Sequence, residues 1–375
     1  MKKQRSSNLE LLRVVAMVMI TMFHIWMHCV DTQLTNADSI ARMQNGWFST
    51  PEFFARLLLL QTISPFGRTG NAIFILISGF FLVQKGQNID LGKTARKLLF
   101  QQGFAAVLLT VGSALCFACF PGVFIEMIDI NGFNKLSWFV GYYFVVILCA
   151  YLFLNRWLAK LSQKQYQTFL WVMFALTQME WTAQIIDGIS GGLIRAVTGI
   201  FLYAMGGYIR AYDPFRGIRT GWLLLAIGAI YALIYLSEYN STQNAIQKYW
   251  RDGGSGAFKQ SMLAFSNHYF VPIAFGILLF EIFRRISMPN SKIINYVAQA
   301  TFITYLLQDN KFFYSLWNTQ DWITLLYENP LWFAGKILLW ALGVLGVGVI
   351  AYALYERIEK ALAAWLAARR AEETV

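Results

Sequence analysis

Arg13 and His24 stand eleven residues apart inside one long apolar stretch, Asn8 to Val30, NLELLRVVAMVMITMFHIWMHCV. On a helix each residue advances about 100° and rises about 1.5 Å, so this spacing puts both on one stripe, within roughly 20° and about 16 Å apart. A charged group near a bilayer centre costs on the order of 2.5 to 3.5 kcal/mol on insertion scales, so such residues usually face a bundle interior or an aqueous cavity. The chemistry that suits the pair is transfer across a membrane from an anionic donor to an acceptor hydroxyl. Guanidinium presents a forked donor array that matches phosphate oxygens, and imidazole exchanges a proton near neutral pH. Arg13 is therefore expected to hold a donor phosphate and His24 to act as general base on the acceptor. Taken singly, Arg13 also reads as a snorkelling side chain or an i,i+3 partner of Glu10, and His24 as a hydrogen-bonded packing residue. His28, one turn further on, reads as an ordinary interfacial histidine.

The elements that must position these residues are membrane helices. The 375 residues are 57% hydrophobic, 17% aromatic and only 14% charged, against about 25% charge in soluble domains. The mean hydropathy is +0.47. A net charge of +11 raises nucleic acid as a partner, but the basic residues come in short clusters spaced by apolar segments, which is the pattern of membrane topology. Cys29, Cys116, Cys119 and Cys149 fall within or at the ends of predicted spans. They read as packing residues rather than a disulfide framework, and Cys116 and Cys119 lack the partners a metal site needs. The N-terminal run is too long, and too interrupted by Arg13, for a cleavable leader, and reads as the first membrane helix.

Apolar runs predict ten spans, near residues 9–30, 69–84, 97–120, 137–154, 166–186, 192–209, 218–238, 262–283, 293–308 and 332–356. Residues 47–64, broken by Pro51, Glu52 and Arg56, read as an interfacial or partly re-entrant helix. Counted over alternate gaps, 20 Lys and Arg fall on the side that begins with Lys2 and 9 on the other. By the positive-inside rule both termini are cytoplasmic. The expectation is an all-α integral membrane protein of about ten transmembrane helices, forming a single domain over residues 1–375.

Several stretches resemble the membrane acyltransferase 3 family, and in particular its polysaccharide or sugar O-acetyltransferase branch. The first helix matches the family's Arg, ten residues, His pattern, R13-VVAMVMITMF-H24. GRTGNAIFILISGFFLV, residues 67–83, is similar to its Gly-x-x-Gly-x-x-x-Phe-x-x-x-Ser-Gly-Phe/Tyr segment. WFVGYYFVVILCAYLFLN (138–155), GIFLYAMGGYIRAY (199–212) and KIINYVAQATFITYLLQDNKFFYSLW (292–317) extend the similarity over nearly the whole chain. The resemblance implies transfer from acetyl-CoA or another acyl-CoA, without a metal, to a sugar hydroxyl of a surface polysaccharide or its lipid-linked precursor. It implies a multi-pass protein of a bacterial inner or plasma membrane. Many relatives carry His before the acidic residue near the end of the ninth helix, where this chain has Gln308 and Asp309. Gln308 hydrogen-bonds but cannot exchange a proton near neutral pH.

The remaining candidates follow from position. Ser78, with Gly79, reads either as a helix-packing pair or as a residue beside the donor, and packing is the stronger reading for Gly343, Gly346 and Gly348. Lys93, Arg96 and Lys97 form a basic cluster for donor phosphates or anionic membrane lipid. Arg68, Gln308, Asp309 and His268 are candidate acceptor contacts. Arg68 and Arg195 each read as binding an anionic glycan or an undecaprenyl-type phosphate or as pairing with Asp187, Glu180 or Asp309, pairing being the stronger reading for Arg195. Trp138 reads as an aromatic-belt residue, with sugar stacking the lesser reading. A transporter or flippase using Arg13 and His24 as a substrate or proton pathway is the alternative class, and a non-catalytic assembly partner the third. The oligomeric state is left open, a homo-oligomer included.

Overall fold

The computed structural model describes residues 6–34, 51–60, 62–86, 88–122, 138–189, 192–252 and 269–372. Every regular element among them is a helix. In chain order these are α1 (Ser7–Leu34), α2 (Pro51–Leu60), α3 (Phe66–Leu82), α4 (Leu91–Cys119) and α5 (Trp138–Leu158). Then come α6 (Gln163–Gln178), α7 (Glu180–Ile189), α8 (Leu193–Tyr212), α9 (Thr220–Asp252) and α10 (Phe270–Arg285). The series ends with α11 (Lys292–Gln308), α12 (Lys311–Trp317), α13 (Trp322–Glu328) and α14 (Pro330–Glu372).

Each of the ten predicted stretches overlaps a helix, residues 262–268 of one of them lying outside the described residues, and among the described residues six helices are long and apolar enough to cross a membrane: α1, α3, α4, α5, α9 and α14. The other four fall short for physical reasons. α6, α10 and α11 have 16, 16 and 17 residues, which at about 1.5 Å each reach about 24 to 26 Å, less than a roughly 30 Å hydrocarbon core. α8 has 20 residues, but Arg195, Arg210 and a run of Gly, Thr and Tyr dilute its apolar character. Residues 166–186 are not one span, because the chain turns extended at Met179 (ψ 115°) between α6 and α7. The interrupted stretch at 47–64 is helical over α2, where Arg56 reaches the carbonyls of Leu326 and Tyr327. The last helix runs well past the predicted residue 356.

Local sequence sets the ends. Asp90 caps α4 by accepting from the Lys93 N–H at 2.8 Å. Ser162 and Gln165 form a reciprocal capping box on α6, and Ser291 caps α11. The start of α1 is tied to neighbouring helices. Ser7 donates to Asn295 at 3.0 Å and accepts from the Ser291 N–H at 2.9 Å, while Asn8 donates to the carbonyls of Phe283 and Arg284. At the other end of α1, Gln33 donates to the Gln320 carbonyl at 2.7 Å and accepts from the Trp322 N–H at 2.9 Å.

Tight crossings hold the centre. A Cβ at Gly79 would lie 2.0 Å from the Tyr203 carbonyl oxygen, and one at Gly206 would lie 2.2 Å from the Leu76 carbonyl oxygen. Only hydrogen at those positions lets α3 and α8 touch backbone to backbone. Gly348 instead makes room for the Thr304 side chain, whereas Gly343 and Gly346 face open space and serve no such contact. Near the end of α10, the fully buried Glu281 is held by Arg284 at 2.7 Å and Arg285 at 2.5 Å, and Arg284 also reaches Asp213. All four cysteines are free.

Candidate active site

His24 lies near the far end of α1 and is 8% exposed. Its Nδ1 is 2.8 Å from Nε2 of Gln308, which is fully buried. Gln308 comes to this place because the sequence Gln-Asp-Asn stops α11. Asp309 leaves the helical region at φ −90° and ψ 68°, and Asn310 turns extended to cap α12, accepting from the Phe312 and Phe313 N–H groups. Asp and Asn side chains compete for local backbone groups, which favours such a break. The break leaves Asp309 facing α1. Its Oδ1 is 3.9 Å from His24 Nδ1 and 3.8 Å from His28 Nε2, and it accepts from the Tyr314 hydroxyl. Tyr314 also stacks on His28, with ring centroids 3.9 Å apart and an angle of 17°. In α12, outside the candidate spans, burial and then the Asp309 carboxylate push the Tyr314 phenol well above its usual range, so it stays a donor.

The chain widens to a π-helix over Trp26–Val30, which includes His28. Such single π-turns are frequent at functional sites. Neither the π-turn nor Tyr314 carries a signal in the sequence that would single it out, and His28 belongs with the site rather than standing apart as an interfacial residue.

Arg13 lies toward the other end of α1. Its Nη1 is 3.1 Å from Glu10 Oε2, the i,i+3 pairing foreseen from sequence. It also lines a cavity of about 380 Å³, together with Ser78, Lys93, Lys97 and Tyr143. Of the expected donor-side residues, Arg96 is exposed and does not line this cavity. Ser78 donates to the Phe74 carbonyl at 2.8 Å and accepts from the Tyr143 hydroxyl at 3.3 Å. Further in, the lining includes Ile20 and Tyr305, which precede His24 and Gln308 by about one helical turn. His24 itself is outside the lining. Oε1 of Gln308 is buried without a hydrogen-bond partner.

Arg68 is on the His24 side of the bundle, its Cζ 5.5 Å from the Phe23 ring centroid and 5.9 Å from that of Trp138. Arg195 takes the same indole at 5.4 Å. Trp138 is half-buried between helices and engaged by two cations, a role beyond that of a belt residue. For Arg195 this stacking replaces the expected pairing with Asp309. The side chains of Asp187 and Glu180, and the whole of His268, lie outside the described residues.

This arrangement can bind an anion at the Lys93 end, admit an extended chain along α1, and deliver its tip beneath an imidazole whose other partners are an amide and a carboxylate. Residues 6–367 match the model of the acyltransferase 3 family, described as an acyltransferase domain. No curated protein and no solved structure matches the chain.

Proposed function

The chain belongs to the acyltransferase 3 family, and from that premise we propose that this membrane acyltransferase moves an acetyl group from acetyl-CoA, or another acyl group from its CoA thioester, to a sugar hydroxyl. The acceptor is a surface polysaccharide or its lipid-linked precursor, and the membrane is a bacterial inner or plasma membrane with both termini cytoplasmic. Membrane lipids surround the bundle, and their anionic headgroups are further neighbours for Lys93, Arg96 and Lys97.

In this reading Lys93, Lys97 and Arg13 take the phosphates of CoA, with Arg96 contributing charge at the entrance, and the pantetheine arm follows α1 past Ser78. One imidazole nitrogen of His24 accepts the acceptor's hydroxyl proton. The hydroxyl oxygen then attacks the thioester carbonyl, the C–S bond breaks, and the departing thiolate takes up the proton. Gln308 is bound to Nδ1 and so selects the tautomer. As placed, the Gln308 amide turns Nε2 toward Nδ1; rotated by 180° it presents Oε1, which accepts N–H from Nδ1 and leaves Nε2 as the base, and Asp309 stabilises the imidazolium that forms. Gln308 is thus a positioning residue for His24, while Asp309 and Arg68 face the acceptor. His268 remains an acceptor contact proposed from its sequence position.

The observation that carries this reading is the cavity itself, which gathers Arg13, Ser78, Lys93 and Lys97 at one side and reaches Ile20 and Tyr305, one turn from the His24–Gln308 pair. No observation favours the transporter. The test is His24→Gln, with membrane insertion verified separately. Acetylation of the cell-surface glycan is expected to be lost, and unchanged acetylation would sink the assignment.

A further inference from the structure

Three buried side chains from three helices line the donor cavity on the side nearest His24: Ile20 of α1, Phe139 of α5 and Tyr305 of α11. Each is fixed by its neighbours. The Phe139 and Tyr305 rings meet with centroids 5.5 Å apart at 59°, and Phe74 backs Phe139 edge-on at 6.2 Å. Ile20 is stiff at χ1 because it is β-branched, and it packs over Gly70, where a Cβ would lie 2.5 Å from its Cγ1. Ile20 precedes His24 by four residues, so this layer lies about 6 Å short of the imidazole along α1. Arg13 lines the same cavity about two turns before Ile20, with Lys93 and Lys97 also in the lining. A donor whose phosphates are held by those cations has its thioester at a set depth, and every carbon beyond the carbonyl has to enter the layer. Close-packed side chains leave no slack for added methylenes.

We propose that Ile20, Phe139 and Tyr305 gauge the length of the acyl group, so that the donor is a short-chain acyl-CoA with acetyl preferred over longer chains. This rests on the acyl-CoA reading above and names the residues that choose among its thioesters. One methylene too many in an apolar pocket costs about 10- to 200-fold, enough for such a layer to discriminate between two and four carbons.

The test is calorimetric titration of the full-length protein in phosphatidylcholine nanodiscs with CoA, acetyl-CoA, butyryl-CoA and hexanoyl-CoA. No acceptor is present, and titration of empty nanodiscs is subtracted to remove partition into lipid. The wild type is expected to bind acetyl-CoA at least about tenfold more tightly than butyryl-CoA, and hexanoyl-CoA more weakly still. Phe139→Ala and Ile20→Ala each open the layer and should cut the acetyl-over-butyryl preference to below about threefold. Should either fail to fold, Phe139→Leu and Ile20→Val remove less volume and are read by the same ratio. The proposal is overturned if both substituted positions keep the wild-type preference. It is also overturned, with no variant needed, if the wild type binds CoA and the three thioesters alike or favours the longer chains; the acyl-CoA reading would then stand without the gauge. A wild type that binds neither CoA nor any thioester would remove the acyl-CoA reading and the gauge with it.

Discussion

Replacing Gln308 by Leu isolates the contact on which the proposed base depends. The substitution keeps roughly the same volume in a fully buried position and deletes the 2.8 Å partner of His24 Nδ1. Leaving a buried polar atom unpaired costs about 1 to 3 kcal/mol. If that cost falls on the tautomer and the imidazolium formed in the reaction, it slows the chemical step by about 5- to 150-fold, since 1.36 kcal/mol is a factor of ten. The assay is acceptor-dependent release of CoA by purified protein at saturating acetyl-CoA, with KM for the donor measured alongside. KM should hold, because Gln308 does not line the cavity that contains Arg13, Lys93 and Lys97. Gln308→His offers a ring nitrogen in place of the amide and should restore most of kcat. Wild-type kcat in Gln308→Leu would refute the positioning role. An equal loss in the Leu and His variants would reduce Gln308 to a packing residue.

Two further perturbations probe other parts of the molecule. Arg13→Ala removes a cavity-lining cation along with its bond to Glu10, and is expected to raise KM for acyl-CoA about tenfold or more while leaving insertion intact; unchanged donor dependence would return Arg13 to a snorkelling role. Gly206→Ala places a methyl 2.2 Å from the Leu76 carbonyl oxygen and should destabilise by about 1 to 3 kcal/mol, seen as a lower Tm in detergent, whereas Gly343→Ala faces open space and should leave Tm unchanged or raise it.

Much of this architecture was legible because it depends on local periodicity. The positions of the ten helical stretches, the shared stripe of Arg13 and His24, and the Arg13–Glu10 pair all follow from spacing within one helix. Long-range pairings did not follow. His24 and Gln308 are 284 positions apart, and no pattern in either stretch says that amide and imidazole meet. Sequence placed Gln308 and Asp309 on the acceptor, yet the break at Asp309 turns both first toward the histidines of α1. The approach of Arg195 to Trp138 did not follow either, since the face of an indole is not visible in a sequence. Of the ten spans expected from the sequence, six are met by helices long and apolar enough to cross a membrane among the described residues, while α6, α8, α10 and α11 are shorter or more polar.

The cavity on α1 ends beneath a layer that has its own consequence. Ile20, Phe139 and Tyr305, at 2%, 6% and 5% exposure, close it below His24, and the α3–α8 crossing is sealed to backbone contact. In the proposed function the protein passes an acyl group between two compartments and must not become a leak for protons or sodium. In that function these buried side chains are the layer that the acyl group has to cross, and they keep the membrane electrically charged while transfer proceeds.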